Sequence, residues 1–194
     1  MLFLASKSPR RRQLLEQIGI RFDIVDVDVP EVRAEGEPDV DYVSRVAREK
    51  AGAGLLQVVA VPGAIVMGAD TEVELDGEIF GKPADAADAA AMLGRLAGRT
   101  HRVISVVWCI DAGREDHVTS ISEVSLAAMD RASIDAYVAT GEAFGKAGAY
   151  AIQGRAAAFV SHLSGSHSGV MGLPLHETSL LLGRFGQGAE SRAH

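Results

Sequence analysis

The chain has 194 residues, 47% of them hydrophobic and 23% charged, and a formal net charge of −7 at pH 7. This composition is that of an ordinary folded protein rather than a disordered one, and its acidic balance excludes a broad basic surface for coating a nucleic acid polymer. No apolar run approaches the roughly 20 residues that cross a bilayer, and MLFLASKSPRRR lacks the charged-then-apolar order of a signal peptide, so a cytoplasmic protein without a membrane partner is expected.

In chain order, MLFLA reads as a short buried strand, and Leu14, Leu15 and Ile18 then fall at helical spacing. Ser8 is a natural N-cap for that helix and Pro9 suits its first position. Arg10, Arg11 and Arg12 at a helix start oppose the macrodipole, which points to an anion nearby. Phe22 to Val29 alternate apolar and acidic residues, as a half-exposed strand does, until Pro30 stops the run and leaves Glu31 in a loop. In the next helix Val43, Val46, Ala47 and Lys50 share one face. Lys50 on that stripe has two readings: a packed stem whose ammonium snorkels to water, favoured on spacing alone, or a cation at the edge of an anion site.

AIVMGADTEVELDG reads as a buried strand carrying Gly68, Asp70 and Thr71 to a turn at Asp76-Gly77. Lys82 is held extended by Pro83. Asp85 caps a helix whose apolar face is Ala89, Met92, Leu93 and Leu96 before Gly98. Two strands follow with a turn at Gly113, the first burying Cys109, the single cysteine. Ser133 opens a short helix closed by Gly141. The glycine- and serine-rich last third ends in a helix packing through Leu180 to Leu182. Strands and helices in alternation give an α/β class with a mixed sheet. A single domain over 1–186, or two lobes sharing a core, with a flexible tail at 187–194 is expected, because no long linker divides the chain.

Several motifs fail on inspection. GSHSG places its serines either side of the centre that a nucleophile elbow requires. Gly81-Lys82 and Gly145-Lys146 are followed by Pro83 and Ala147, so neither is a Walker loop, and the six histidines lack zinc-binding spacing. What remains is a distributed set: hydroxyls and arginines at a helix start, with Glu31, Lys50, Asp70, Lys82 and Gln153. Cations that hold a polyphosphate and carboxylates that hold a hard divalent metal are the parts of phosphoryl chemistry. Glu31 and Asp70 offer the oxygen ligands that Mg²⁺ or Mn²⁺ prefers.

Taken in order, LASKSPRRRQLL, Pro30-Glu31, AREKA, GADT, GKP, THRV, KAGAYAIQG and GVMGLPLHET resemble the Maf family of nucleoside triphosphate pyrophosphatases, from Leu4 to about Leu182. The resemblance implies an elongated α/β fold of two lobes around a central cleft, related to the inosine triphosphatase architecture, and commonly a homodimer. It also implies a reaction, cleavage of a nucleoside triphosphate to the monophosphate and pyrophosphate with a divalent cation. Asp70 would then be the general base, Ser8, Arg11, Lys50 and Lys82 would line the phosphate site, and Glu31 and Asp70 would face the metal. Arg10, Thr71 and Gln153 match the subgroup acting on dTTP and UTP. Two alternatives stand beside that reading: methylated guanine nucleotides as substrates, or a nucleotide-binding regulator of cell division without turnover. Glu72 stands where the family carries an apolar residue, either pointing outward or adding a carboxylate near the metal.

Overall fold

The structure is a computed structural model and describes residues 1–187. Its elements in chain order are β1 (Leu2–Ala5), α1 (Pro9–Gln17), β2 (Asp23–Ile24), α2 (Asp39–Gln57), β3 (Ile65–Leu75), β4 (Glu78–Phe80) and α3 (Ala86–Leu96). There follow β5 (Thr100–Ile110), β6 (Glu115–Leu126), α4 (Arg131–Val138), β7 (Val160–Ser164), α5 (His167–Met171) and α6 (Leu175–Arg184). The strands form a seven-stranded sheet in the order β2-β1-β3-β5-β6-β7, with β4 paired to β3 outside that path. Strand β1 runs parallel to β2 and β3, whereas β4 is antiparallel to β3 and β7 to β6. The fold is therefore α/β with a mixed sheet.

The chain divides into two compact units. The first comprises, among the described residues, Met1–Asp70, Ser105–Ser120 and 172–187. Its β1 is fully apolar and buried, as expected of a strand flanked on both sides, and Phe3, Ala5, Val25, Val27, Val58 and Val66 pack together in one of its cores. The second comprises Thr71–Ile104 and Ile121–Met171, around a core that includes Val73, Leu93, Leu96, Val124, Ile134 and Tyr137. Within it β3 turns into β4 through Asp76 and Gly77, with φ of 55° and 82°. Two successive positive φ values are what a tight hairpin turn demands, and they explain the Asp-Gly pair.

The structure departs from the sequence patterns at several points. The alternating run from Phe22 to Val29 contributes only Asp23 and Ile24 to the ladder, although Val25 and Val27 are buried and Asp26 and Asp28 exposed. Its pattern records burial of one face rather than continuous pairing. Helix α4 is capped by Asp130, whose carboxylate accepts the Ser133 N–H at 2.8 Å, so Ser133 lies inside the first turn. Helix α6 buries Leu181 and Leu182 but leaves Leu180 exposed. Of the expected tail, Gln187 donates its N–H to the Leu182 carbonyl at 2.9 Å, and residues 188–194 lie outside the described residues.

Candidate active site

The start of α1 is built as its sequence dictates. Ser8 is the N-cap, its hydroxyl facing the Arg11 N–H at 3.5 Å, and Pro9 occupies the first turn. No acidic side chain sits in that turn to meet the helix dipole. Arg11 is buried: Nε donates to the Gly172 carbonyl at 2.9 Å and a terminal nitrogen donates to the Ser6 hydroxyl at 3.3 Å. Ser6 also accepts the Ser8 N–H at 3.2 Å, so it organises the turn between β1 and α1. Ser6 is a functional position beyond those named from the sequence, and the hydroxyl spacing Ser6-Lys7-Ser8 directly after a strand is the signal that marks it. Arg10 is half-buried, and that burial, followed by the charge of Arg11, lowers its pKa from the usual arginine value.

Lys50 does not snorkel. Its Nζ donates to Glu31 Oε1 at 2.6 Å and to Asp70 Oδ1 at 2.7 Å, and the lysine side chain is only 11% exposed. The approach of helix to strand explains this arrangement. A Cβ added at Gly68 would overlap the Ala47 carbonyl oxygen and the Ala51 nitrogen, so α2 lies directly on β3 at that point. Asp70 follows Gly68 by two residues and leaves the strand on the same face, towards the helix that carries Lys50. Long, thin lysine then closes the remaining distance. A buried charge is tolerable when paired and hydrogen-bonded, and here one ammonium serves two carboxylates.

The other named residues belong to the second unit. Thr71 is half-exposed on β3, Lys82 is exposed after β4, and Gln153 is exposed in the segment before β7. Gly148, with φ of 67°, donates its N–H to the Gly81 carbonyl at 3.2 Å and faces Val73 so closely that a Cβ would overlap that side chain. The KAGAY segment is thereby tied to the residue beside Lys82. Glu72 is buried, which removes the reading in which it points to solvent. Cys109 is buried in β5, and burial, followed by the Asp116 charge, pushes its thiol up to about 12, as suits an inert packing residue.

Among the described residues no group of three or more His, Cys, Asp or Glu side chains is placed to hold a metal unaided. Asp70 Oδ2, however, is buried without a hydrogen-bond partner beside the oxygen held by Lys50. A buried carboxylate oxygen left so is costly unless a proton, a water or a cation answers it. Mg²⁺ commonly takes one or two carboxylates and completes its shell with water and substrate phosphates. The hard oxygen donors of Glu31 and Asp70 fit such a cation.

The family model described as Maf-like protein matches residues 1–185. A relative from Xanthomonas campestris pv. campestris, named dTTP/UTP pyrophosphatase, is 56% identical over 188 residues, covering 96% of this chain and 99% of its own. One from Xylella fastidiosa strain 9a5c, named nucleoside triphosphate pyrophosphatase, is 55% identical over 186 residues, covering 95% and 98%. Among solved structures, the Staphylococcus aureus Ham1 protein aligns with a TM-score of 0.44 at 16% identity, over 65% of this chain and 71% of that one. Identity above one half along nearly the whole chain, together with a family model spanning it, establishes that the protein belongs to the Maf-like family.

Proposed function

We propose that the protein is a metal-dependent nucleoside triphosphate pyrophosphatase acting on dTTP and UTP. One observation carries this reading: Asp70 is buried, fixed through Oδ1 by Lys50, and presents Oδ2 with no hydrogen-bond partner. A carboxylate anchored at one oxygen and unengaged at the other is built to orient a water and take its proton. Lys50 keeps the charge compensated without occupying that second oxygen.

In the proposed reaction the water oxygen forms a bond to phosphorus at the α–β anhydride while its proton passes to Asp70 Oδ2. The anhydride P–O bond breaks, leaving nucleoside monophosphate and pyrophosphate. Glu31 would hold the divalent cation with Asp70, whose Oδ2 is kept for the water proton, and the cation would supply neutralisation of phosphate charge. Ser8, Arg11, Lys50 and Lys82 are assigned to the phosphates, where preorganised donors stabilise charge that develops in the transition state. Arg10, Thr71 and Gln153 are assigned to the base; an amide offers both a donor and an acceptor to a pyrimidine edge. The name of the Xanthomonas campestris relative, dTTP/UTP pyrophosphatase, supports this choice over methylated guanine nucleotides. A homodimer and a cytoplasmic setting complete the reading, the first tested by sedimentation of the full chain.

The test is a nucleotide panel with purified protein and Mg²⁺ or Mn²⁺. UTP and dTTP should yield monophosphate and pyrophosphate in equal amounts. Orthophosphate with a diphosphate product rejects the bond assignment, preference for methylated GTP rejects the substrate, and saturable binding without product favours a regulator.

A further inference from the structure

We infer that Glu142 is a positioning residue for Gln153, holding the backbone beneath that side chain, and that Gly154 is glycine so that the Glu142 carboxylate can reach it. The inference rests on the reading of Gln153 as the residue that selects a pyrimidine base.

Gln153 is exposed, and an exposed amide on a mobile loop discriminates poorly, because ordering it on binding costs free energy that every base incurs alike. Its backbone is anchored on both sides. The Ala151 N–H donates to the Tyr137 hydroxyl at 3.0 Å, and the Arg155 N–H donates to Glu142 Oε2 at 2.7 Å. Between these anchors the Gly154 N–H donates to the Ala151 carbonyl at 2.9 Å, closing a turn around Gln153.

Both anchors come from one place, the end of α4. Tyr137 lies in the helix, and the Thr140 hydroxyl donates to the Tyr137 carbonyl at 2.7 Å while accepting the Glu142 N–H at 3.2 Å. Glu142 is thus fixed in its main chain before its side chain reaches out. The bond it makes is the charge-assisted kind, stronger than a neutral one.

Gly154 supplies an independent observation. Its φ of −105° is one that any residue adopts, so conformation does not require glycine there. Space does: an added Cβ would overlap Glu142 Oε2 and crowd its carboxyl carbon. Because those atoms end a flexible side chain, an alanine would be accommodated by expelling the carboxylate rather than by breaking the fold.

The experiment measures kcat and KM for UTP and CTP, which differ in the carbonyl and amino group of the base, together with melting temperature. Glu142→Ala should reduce the UTP-over-CTP ratio of kcat/KM by about fivefold, the scale of one net hydrogen bond, chiefly through KM for UTP. Glu142→Gln, whose amide oxygen still accepts, should keep most of the selectivity, and Gly154→Ala should reproduce the loss. Added to Gln153→Ala, Glu142→Ala should change selectivity no further, since one acts through the other. If Glu142→Ala unfolds the protein, Gly154→Ala carries the same test. Unchanged selectivity in the Glu142 and Gly154 variants, or full additivity with Gln153→Ala, overturns the inference while leaving the base assignment intact. Selectivity unaffected by Gln153→Ala defeats the base assignment, and this inference falls with it.

Discussion

Lys50 is a cation whose removal has consequences on two counts. Its ammonium compensates Asp70, whose side chain is 5% exposed, and the less buried Glu31. Lys50→Met should destabilise the protein by about 3 kcal/mol, the scale seen when a buried pair loses one member, measured by urea unfolding at pH 7.5. Adding Asp70→Asn to that variant should restore part of the loss by removing the unpaired charge, and a single variant within about 1 kcal/mol of wild type would contradict the pairing. Position on an apolar helical face was legible in the sequence. The bridge was not, because helical spacing says nothing of which loop and strand lie opposite.

His101 gives a second residue-scale expectation. It is 2% exposed, its Nε2 lies 2.8 Å from the Tyr150 hydroxyl, and burial lowers its pKa to about 4. Unfolded, the ring titrates near about 6.5, so between those values the unfolded chain binds a proton that the folded chain refuses. Stability from this group is therefore intact above about pH 6.5 and falls by up to about 3 kcal/mol as pH drops towards 4. Urea midpoints at pH 7.5 and 4.5 should show a smaller acid loss in His101→Gln than in wild type; equal losses would contradict the assignment.

At the scale of elements, the contact of α2 with β3 positions Lys50 on Asp70. Gly68→Ala should cost about 1–3 kcal/mol by forcing the helix backbone away, and should lower turnover with it. Gly52, on the same helix, meets nothing within 4 Å of a built Cβ, so Gly52→Ala should instead stabilise by about 0.5–1 kcal/mol. Thermal unfolding of the pair decides; equal effects would contradict the close approach. The caps of α1 and α3 were readable because Ser8 and Asp85 stand immediately before apolar periodicity. The cap of α4 is ambiguous in the sequence because Asp130 and Ser133 are both capping types three residues apart, and only the direction of their hydrogen bond tells them apart.

For the whole molecule, strong strand and helix patterns and ordered motifs were enough to read a mixed α/β fold. Two lobes are implied by the family resemblance, whereas composition and patterning carry no mark of the two units. The chain passes from one to the other inside β3, β5 and β6, and a fourth time at Met171–Gly172 between α5 and α6; at the three strand crossings no linker or change of composition marks the boundary. Named residues follow that division: Ser8, Arg10, Arg11, Glu31, Lys50 and Asp70 fall in the first unit, and Thr71, Lys82 and Gln153 in the second.

In the proposed reaction Asp70 is the group that takes the proton of the attacking water. The direct measurement is pyrophosphate release from UTP with Mg²⁺ by wild type and Asp70→Asn, alongside equilibrium binding of UTP to both. The variant should lose about 10²–10⁴-fold in kcat while binding UTP within a few-fold of wild type, as expected for loss of a general base. Turnover within tenfold of wild type would contradict it.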